Sequence, residues 1–235
     1  NWGTVKYLTP ERGGTLTFDQ NIEANARSSA GWLDGQLEQN QFSQFKQQTI
    51  YQFDNMILGS LQKFKEDSDA GRDVSSMDQV VQINTLLDNI EIRGNRGERG
   101  FKIHLKNQET ELQPQDISSG ESELIGLGIE TLAFTLKLDM AKPNLLLMDE
   151  PDVHLHPDLQ ARLVRFLSKL LSDNPSLHIV IATHSTPILS EASAIEESSV
   201  GAMIKGQTVL KFEKIDEIYK QILPVFGAHP LTSVF

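Results

Sequence analysis

The pattern of apolar positions is sharpest at Leu145–Met148, four consecutive apolar residues that stop abruptly on Asp149 and Glu150. A short run without alternation suits a strand at the centre of a parallel sheet covered on both faces. Leu177–Ala182 repeats the pattern as L-H-I-V-I-A and ends on Thr183-His184-Ser185. Between the two runs, Leu159 to Leu171 has the spacing of a strongly amphipathic helix, with Pro157 before it and Asp158 in its first turn. Strand, helix and strand in this order predict an α/β fold with parallel neighbouring strands.

Upstream, the periodicity changes several times. Residues 1–18 read as an extended segment and turn, in which Val5, Tyr7 and Leu8 are apolar, Pro10 breaks the run and Gly13-Gly14 permits a tight reversal. Arg12 could reach a phosphate there, but it reads first as a solvated arginine of that turn, since nothing else converges on it. Residues 19–92 read as a helical subdomain with two apolar stripes packed as core. One stripe runs through Phe42, Phe45, Thr49, Phe53, Met56, Ile57, Leu61 and Phe64, the other through Val80, Val81, Ile83, Leu86, Leu87 and Ile90. A polar connection, E-D-S-D-A-G-R-D, separates them. After a glycine-rich loop, Phe101, Ile103 and Leu105 alternate as in a strand. Ser118 and Glu121 form an S-x-x-E capping box ahead of a helix marked by Leu124, Leu127 and Leu132. Downstream, Gly201–Lys205 and Thr208–Phe212 flank Gly206-Gln207 as a hairpin, followed by a helix through Ile222. The predicted units are 1–18, 19–92 and 93–235.

Composition narrows the function classes. The 235 residues are 39% hydrophobic and 23% charged, ordinary for a soluble globular protein. The absence of cysteine removes disulfides, thiolate zinc sites and thiol nucleophiles. No apolar run approaches the roughly 20 residues that span a bilayer, and no signal-peptide pattern opens the chain, so a cytoplasmic protein without a membrane partner is expected. A net charge of −11 opposes a wholly basic nucleic-acid surface. The one basic cluster, Arg93, Arg96, Arg99, Lys102 and Lys106, reads equally as a contact for nucleic acid or nucleotide phosphate and as a solvated hairpin. The chain begins with Asn1 and stops at Leu231–Phe235 without a polar tail, and we read it as a piece of a longer polypeptide.

The candidate chemistry gathers at strand ends. Asp149 and Glu150 emerge at the carboxyl edge of a parallel sheet, where open α/β sheets bind ligands, and adjacent carboxylates there hold a cation or activate water. The helix start at Ser118-Ser119-Gly120 offers hydroxyls, backbone N–H groups and a positive dipole end to an anion. His184, one helix away along the sheet, is expected near the two acids. A separate reading makes Asp149, His154 and His156 the start of a metal-dependent hydrolase.

In order along the chain, I-S-S-G-E, L-L-L-M-D-E-P and I-A-T-H-S resemble the signature motif, Walker B strand and switch histidine of ABC-type ATPase heads. The wording D-E-P-D-V-H-L-H-P is most similar to the soluble SMC-like and OLD-like branch, associated with DNA repair and phage defence. The resemblance implies a P-loop NTPase fold with a partial parallel sheet, flanking helices and an inserted helical subdomain. It implies ATP and Mg²⁺ as ligands. Asp149 would hold the water shell of Mg²⁺, Glu150 would polarise the attacking water and His184 would contact the γ-phosphate. Ser118, Ser119 and Gly120, with Glu121, would face a nucleotide held by a second head, and Asp152 would begin the loop crossing the dimer interface. Ser119 stands where the family often has glycine. No Gly-Lys pair occurs anywhere, so the phosphate-cradling loop is expected from an upstream portion of the same protein, and this piece alone is expected to be inactive. The resemblance further admits a downstream Toprim nuclease, DNA or a partner effector protein. The rival reading is a non-catalytic, ATPase-like scaffold that binds a partner nuclease or toxin.

Overall fold

The computed structural model describes residues 1–29, 31–32, 35, 41–42, 44–69, 78–94, 99–196, 198–204 and 208–212. They divide into two compact units, Asn1–Ala182 and Thr183–Phe235. The first is built on a parallel sheet of three strands in the order β1-β7-β8, formed by β1 (Val5–Leu8), β7 (Asn144–Asp149) and β8 (Leu177–Ala182). Leu147 sits between Tyr7 and Val180, and Asp149 pairs with Ala182 at the carboxyl edge. Asn144 fixes the other end: its Oδ1 accepts from the N–H groups of Thr4 and Asp139, both at 2.9 Å, and its Nδ2 donates to carbonyls of the preceding loop.

The expectation of a strand covered on both faces is corrected. Burial alternates along β7, with Asn144, Leu146 and Met148 buried and Leu145, Leu147 and Asp149 only partly so. Val5 and Val180, in register with the second set, are 52% and 53% exposed. The cause is one-sided coverage. Lys6, in register with Leu146, reaches Glu130 of the central helix, so helices pack on that face.

The central helix is α4 (Ser119–Thr135), following α1 (Gln20–Ser28), α2 (Phe45–Asp69) and α3 (Asp78–Leu86) in the chain. Every residue of α4 from Ser122 to Phe134 is buried, the signature of a helix enclosed by others rather than lying on a surface. It packs against α2, α3 and α5 (Pro157–Asp173). A side chain at Gly128 would place its Cβ 2.9 Å from Leu86, so glycine sets the close approach of α3. Phe45, Phe53, Ile83, Leu86, Leu124, Leu127, Leu146, Leu163 and Leu167 belong to one continuous core. Two positions of the expected stripes, Leu61 and Val81, lie exposed instead, because each helix buries only the side turned toward α4. Ile90 belongs to a strand, not to the second helical stripe.

That strand opens an antiparallel sheet, β4 (Ile90–Gly94), β5 (Phe101–Leu105) and β6 (Glu111–Leu112), beside α3. A small parallel ribbon joins β2 (Glu11–Arg12) to β3 (Gln41–Phe42). The second unit contains α6 (Thr186–Ser193) and an antiparallel hairpin of β9 (Val200–Ile204) and β10 (Thr208–Phe212). The expected turn at Gly206-Gln207 and the helix through Ile222 lie outside the described residues. Among those described, no helix is long and apolar enough to cross a membrane.

Candidate functional site

β7 delivers Asp149 to the carboxyl edge of the sheet, and the chain then reverses sharply. Glu150 lies at φ +43°, a left-handed conformation that a residue with a side chain adopts at a cost of roughly 1–2 kcal/mol. The surrounding hydrogen bonds hold it there. Its N–H donates to the Ala182 carbonyl at 2.8 Å, and its own carbonyl accepts from Val153 N–H at 3.2 Å. Asp149 stays half-buried, with Oδ2 accepting the Tyr7 hydroxyl at 3.0 Å. Burial, followed by that bond to the Asp149 carboxylate, pushes the Tyr7 phenol above its usual range, so it stays a donor. Among the described residues Asp149 forms no ion pair with Lys or Arg. A half-buried carboxylate at a sheet edge with no direct ion pair suits a hard divalent ion, which takes oxygen ligands.

The loop that follows runs back over the start of α4. Leu155 is buried, its N–H donates to Asp152 O at 3.0 Å, and Gln160 Nε2 donates to Leu155 O at 2.8 Å. His154 adopts φ +66°. A side chain at Gly120 would put Cβ 3.0 Å from both the His154 carbonyl oxygen and Leu159 Cδ1, so loop and helix start are in direct contact. At that start the capping box is complete. Ser118 Oγ accepts from Glu121 N–H at 3.1 Å, and Glu121 Oε2 accepts from Ser118 N–H at 3.1 Å and from its hydroxyl at 2.7 Å. This satisfies two donors, while the N–H groups of Ser119 and Gly120 stay at the helix end with no intrahelical acceptor. A cleft beside them is lined by Asp88, Asn89, Ser118, Glu121, His156 and Asp158, among others, but not by Asp149 or Glu150.

Within the first unit the sequence-based candidates fall at two places. Asp149 and Glu150 share the strand end, Ser118–Glu121 share the helix start with the Asp152–His156 loop, and His184 belongs to the second unit. There Ser185 caps α6, its Oγ accepting from Ile188 N–H at 3.2 Å. In the 152–156 loop, His156 Nδ1 lies 2.6 Å from Asp158 Oδ1. Among the described residues, no three His, Asp or Glu side chains converge as a metal-holding group.

Arg12 is the main correction. It is 5% exposed, not solvated, and it lies beneath the turn. Nε donates to Glu123, whose side chain is 1% exposed; Nη1 donates to Thr9 O and, at 3.4 Å, to Asp149 O; Nη2 donates to Glu150 O at 3.2 Å. The signal for it lay in α4. Glu123 and Glu130, two turns apart and both buried in this helix, need cations there, and they find Arg12 and Lys6. The basic cluster is also answered within the protein. Arg93 pairs with Glu91 and Glu109, Arg99 with Glu23 and Asp54, and Lys102 with Glu111, while Lys106 donates to Leu87 O. Arg96 lies outside the described residues.

The Septu protein PtuA of Bacillus thuringiensis is 28% identical over 204 residues, 80% of this chain and 47% of its own length, so the chain spans about half of that relative. A solved structure from work on ATP-driven dimerization and DNA stimulated activation of SMC ATPases superposes with a TM-score of 0.47 and 14% identity, over 64% of this chain and 89% of its own. The SMC head domain from Thermotoga maritima gives 0.41 and 18%, over 57% and 44%. The family described as "AAA domain, putative AbiEii toxin, Type IV TA system" matches residues 17–191, well over half of the sequence, and the chain belongs to that family.

Proposed function

We propose that this chain carries the signature, acid-strand and histidine portion of an ATP-hydrolysing head that pairs with a second, identical head around bound nucleotide. The observation that carries this reading is the Asp149-Glu150 pair at the carboxyl end of the middle parallel strand, with Glu150 held in a left-handed turn. Phosphoryl transfer asks a protein for positioning and charge stabilisation more than for covalent chemistry, and the residues here supply positioned oxygen and N–H groups. Asp149 would hold Mg²⁺ through its water shell, and the ion bound with ATP would neutralise charge on the phosphates. Glu150 orients the attacking water and accepts its hydrogen bond. The Ser119 and Gly120 N–H groups and the Ser118 hydroxyl face the nucleotide of the opposite head, with Glu121 closing the cap. Asp152 leads the loop that packs on Gly120 and lies at the boundary between heads. His184 donates to the terminal phosphate.

An upstream portion of the same polypeptide with a Gly-Lys loop belongs to this reading, since the chain has no such pair. Its biological setting, on the same reading, is anti-phage defence or DNA maintenance with an effector partner. Mg-ATP binding and turnover by the intact protein test the assignment. Glu150→Gln is expected to abolish turnover while sparing ATP binding, and unchanged turnover rejects it. An intact protein that neither binds nor hydrolyses ATP fits a scaffold for a partner nuclease or toxin instead.

A further inference from the structure

Arg12 has no role in the reading above, yet its guanidinium touches the turn on which that reading depends. A buried Arg–Glu pair is weak evidence for stability, because apolar residues of similar volume often serve as well. A guanidinium does offer a rigid fork of N–H groups, which can hold several oxygens in fixed relation. Here it holds four: Thr9 O, Asp149 O, Glu150 O and a carboxylate oxygen of Glu123. Two of these are the consecutive carbonyls on either side of the Glu150 Cα. Glu150 sits at φ +43°, and such a residue persists only where its surroundings over-determine it. Its N–H is fixed by Ala182 and its carbonyl by Val153 and Arg12. Glu123, in turn, lies on α4 little more than a turn from the Ser118–Glu121 cap.

We propose that Arg12, held by Glu123, is a positioning residue that fixes the Asp149-Glu150 peptide, so that the Glu150 carboxylate is aimed and its aim depends on where the start of α4 lies. The proposal rests on the ATPase reading. Arg12 touches neither water nor nucleotide; it sets the backbone from which Glu150 projects. Lysine keeps the charge at this place but reaches one oxygen where the fork reaches several.

The test uses the intact protein and begins with Glu150→Gln, whose loss of turnover must hold before the rest has meaning; unchanged turnover there defeats the ATPase reading itself. Given that loss, Arg12→Lys is expected to lower kcat by about 100-fold, the scale of a misplacement near 1 Å, with KM for ATP within about twofold of the parent. Glu123→Gln, which still accepts from Arg12, is expected to fall between. Wild-type kcat in Arg12→Lys, or a raised KM at unchanged kcat, overturns the positioning role and leaves Glu150 standing. Should Arg12→Lys fail to fold, the double variant Arg12→Met with Glu123→Leu removes both charges together. It is expected to fold and remain slow, and parental turnover in it overturns the proposal equally.

Discussion

At the scale of single residues, Gly120 shows how a motif glycine can be required by its own protein before any ligand arrives. Its missing Cβ leaves room for the His154 carbonyl and Leu159, each 3.0 Å from where that atom would lie. Backbone cannot swing aside as a side-chain tip can, so overpacking should dominate. Gly120→Val is expected to cost about 1–3 kcal/mol, read as a lowered midpoint in chemical denaturation. An unchanged midpoint means that the loop yields freely. Glu150 shows the opposite economy, a strained backbone retained at the place where chemistry is proposed.

At the scale of elements, buried ion pairs tie the N-terminal segment to α4. Lys6 Nζ lies 2.5 Å from Glu130 Oε2, with side chains 9% and 0% exposed. Glu130→Ala leaves a buried ammonium without its carboxylate, with only the residue-130 carbonyl as acceptor, and should cost about 3–5 kcal/mol, whereas Lys6→Met with Glu130→Leu should recover most of that loss in a denaturant titration. A double variant as unstable as the single one shows that the helix needs the charges themselves. A second, outer pair links the turn after α3 to α5. The Arg162 guanidinium beside Asp88 holds that carboxyl below its usual range. A lowered folded-state value stabilises the protein above the ordinary carboxylate range near pH 4, and the contribution is lost as pH falls through the folded value. Asp88→Asn should therefore lower Tm near pH 7, by an amount that shrinks as pH falls below about 4. Because the Asp88 side chain is 59% exposed, added salt should shrink the difference.

At the scale of the whole molecule, the cleft beside the helix start is lined, among the described residues, by Ser118 and Glu121 and not by the acid pair. In the proposed pairing of heads, each helix start would serve the nucleotide of the other head. In the intact protein, Glu150→Gln with Mg-ATP should double the mass measured by light scattering. Ser119→Arg, at an exposed position on the helix start, should return the mass to that of one head while ATP remains bound. A dimer indifferent to both changes places the contact elsewhere.

What the sequence determined by itself was local. The apolar tetrad specified β7, the capping box specified the start of α4, Pro157 with the helical stripe specified α5, and L-H-I-V-I-A specified β8, because each signal lies within one or two turns of chain. The α/β class follows from their order. The tertiary structure alone decided which face of β7 is covered and where the lone charges go. Arg12 meets Glu123 and Glu150 across 111 and 138 residues, and Tyr7 meets Asp149 across 142. A side chain in a glycine-rich turn reads as solvated until the partners that desolvate it are folded around it. The basic cluster was undecided for the same reason, since Arg99 reaches Glu23 across 76 residues. Periodicity records which side of an element is apolar, whereas charge pairing over such spans depends on closing the fold.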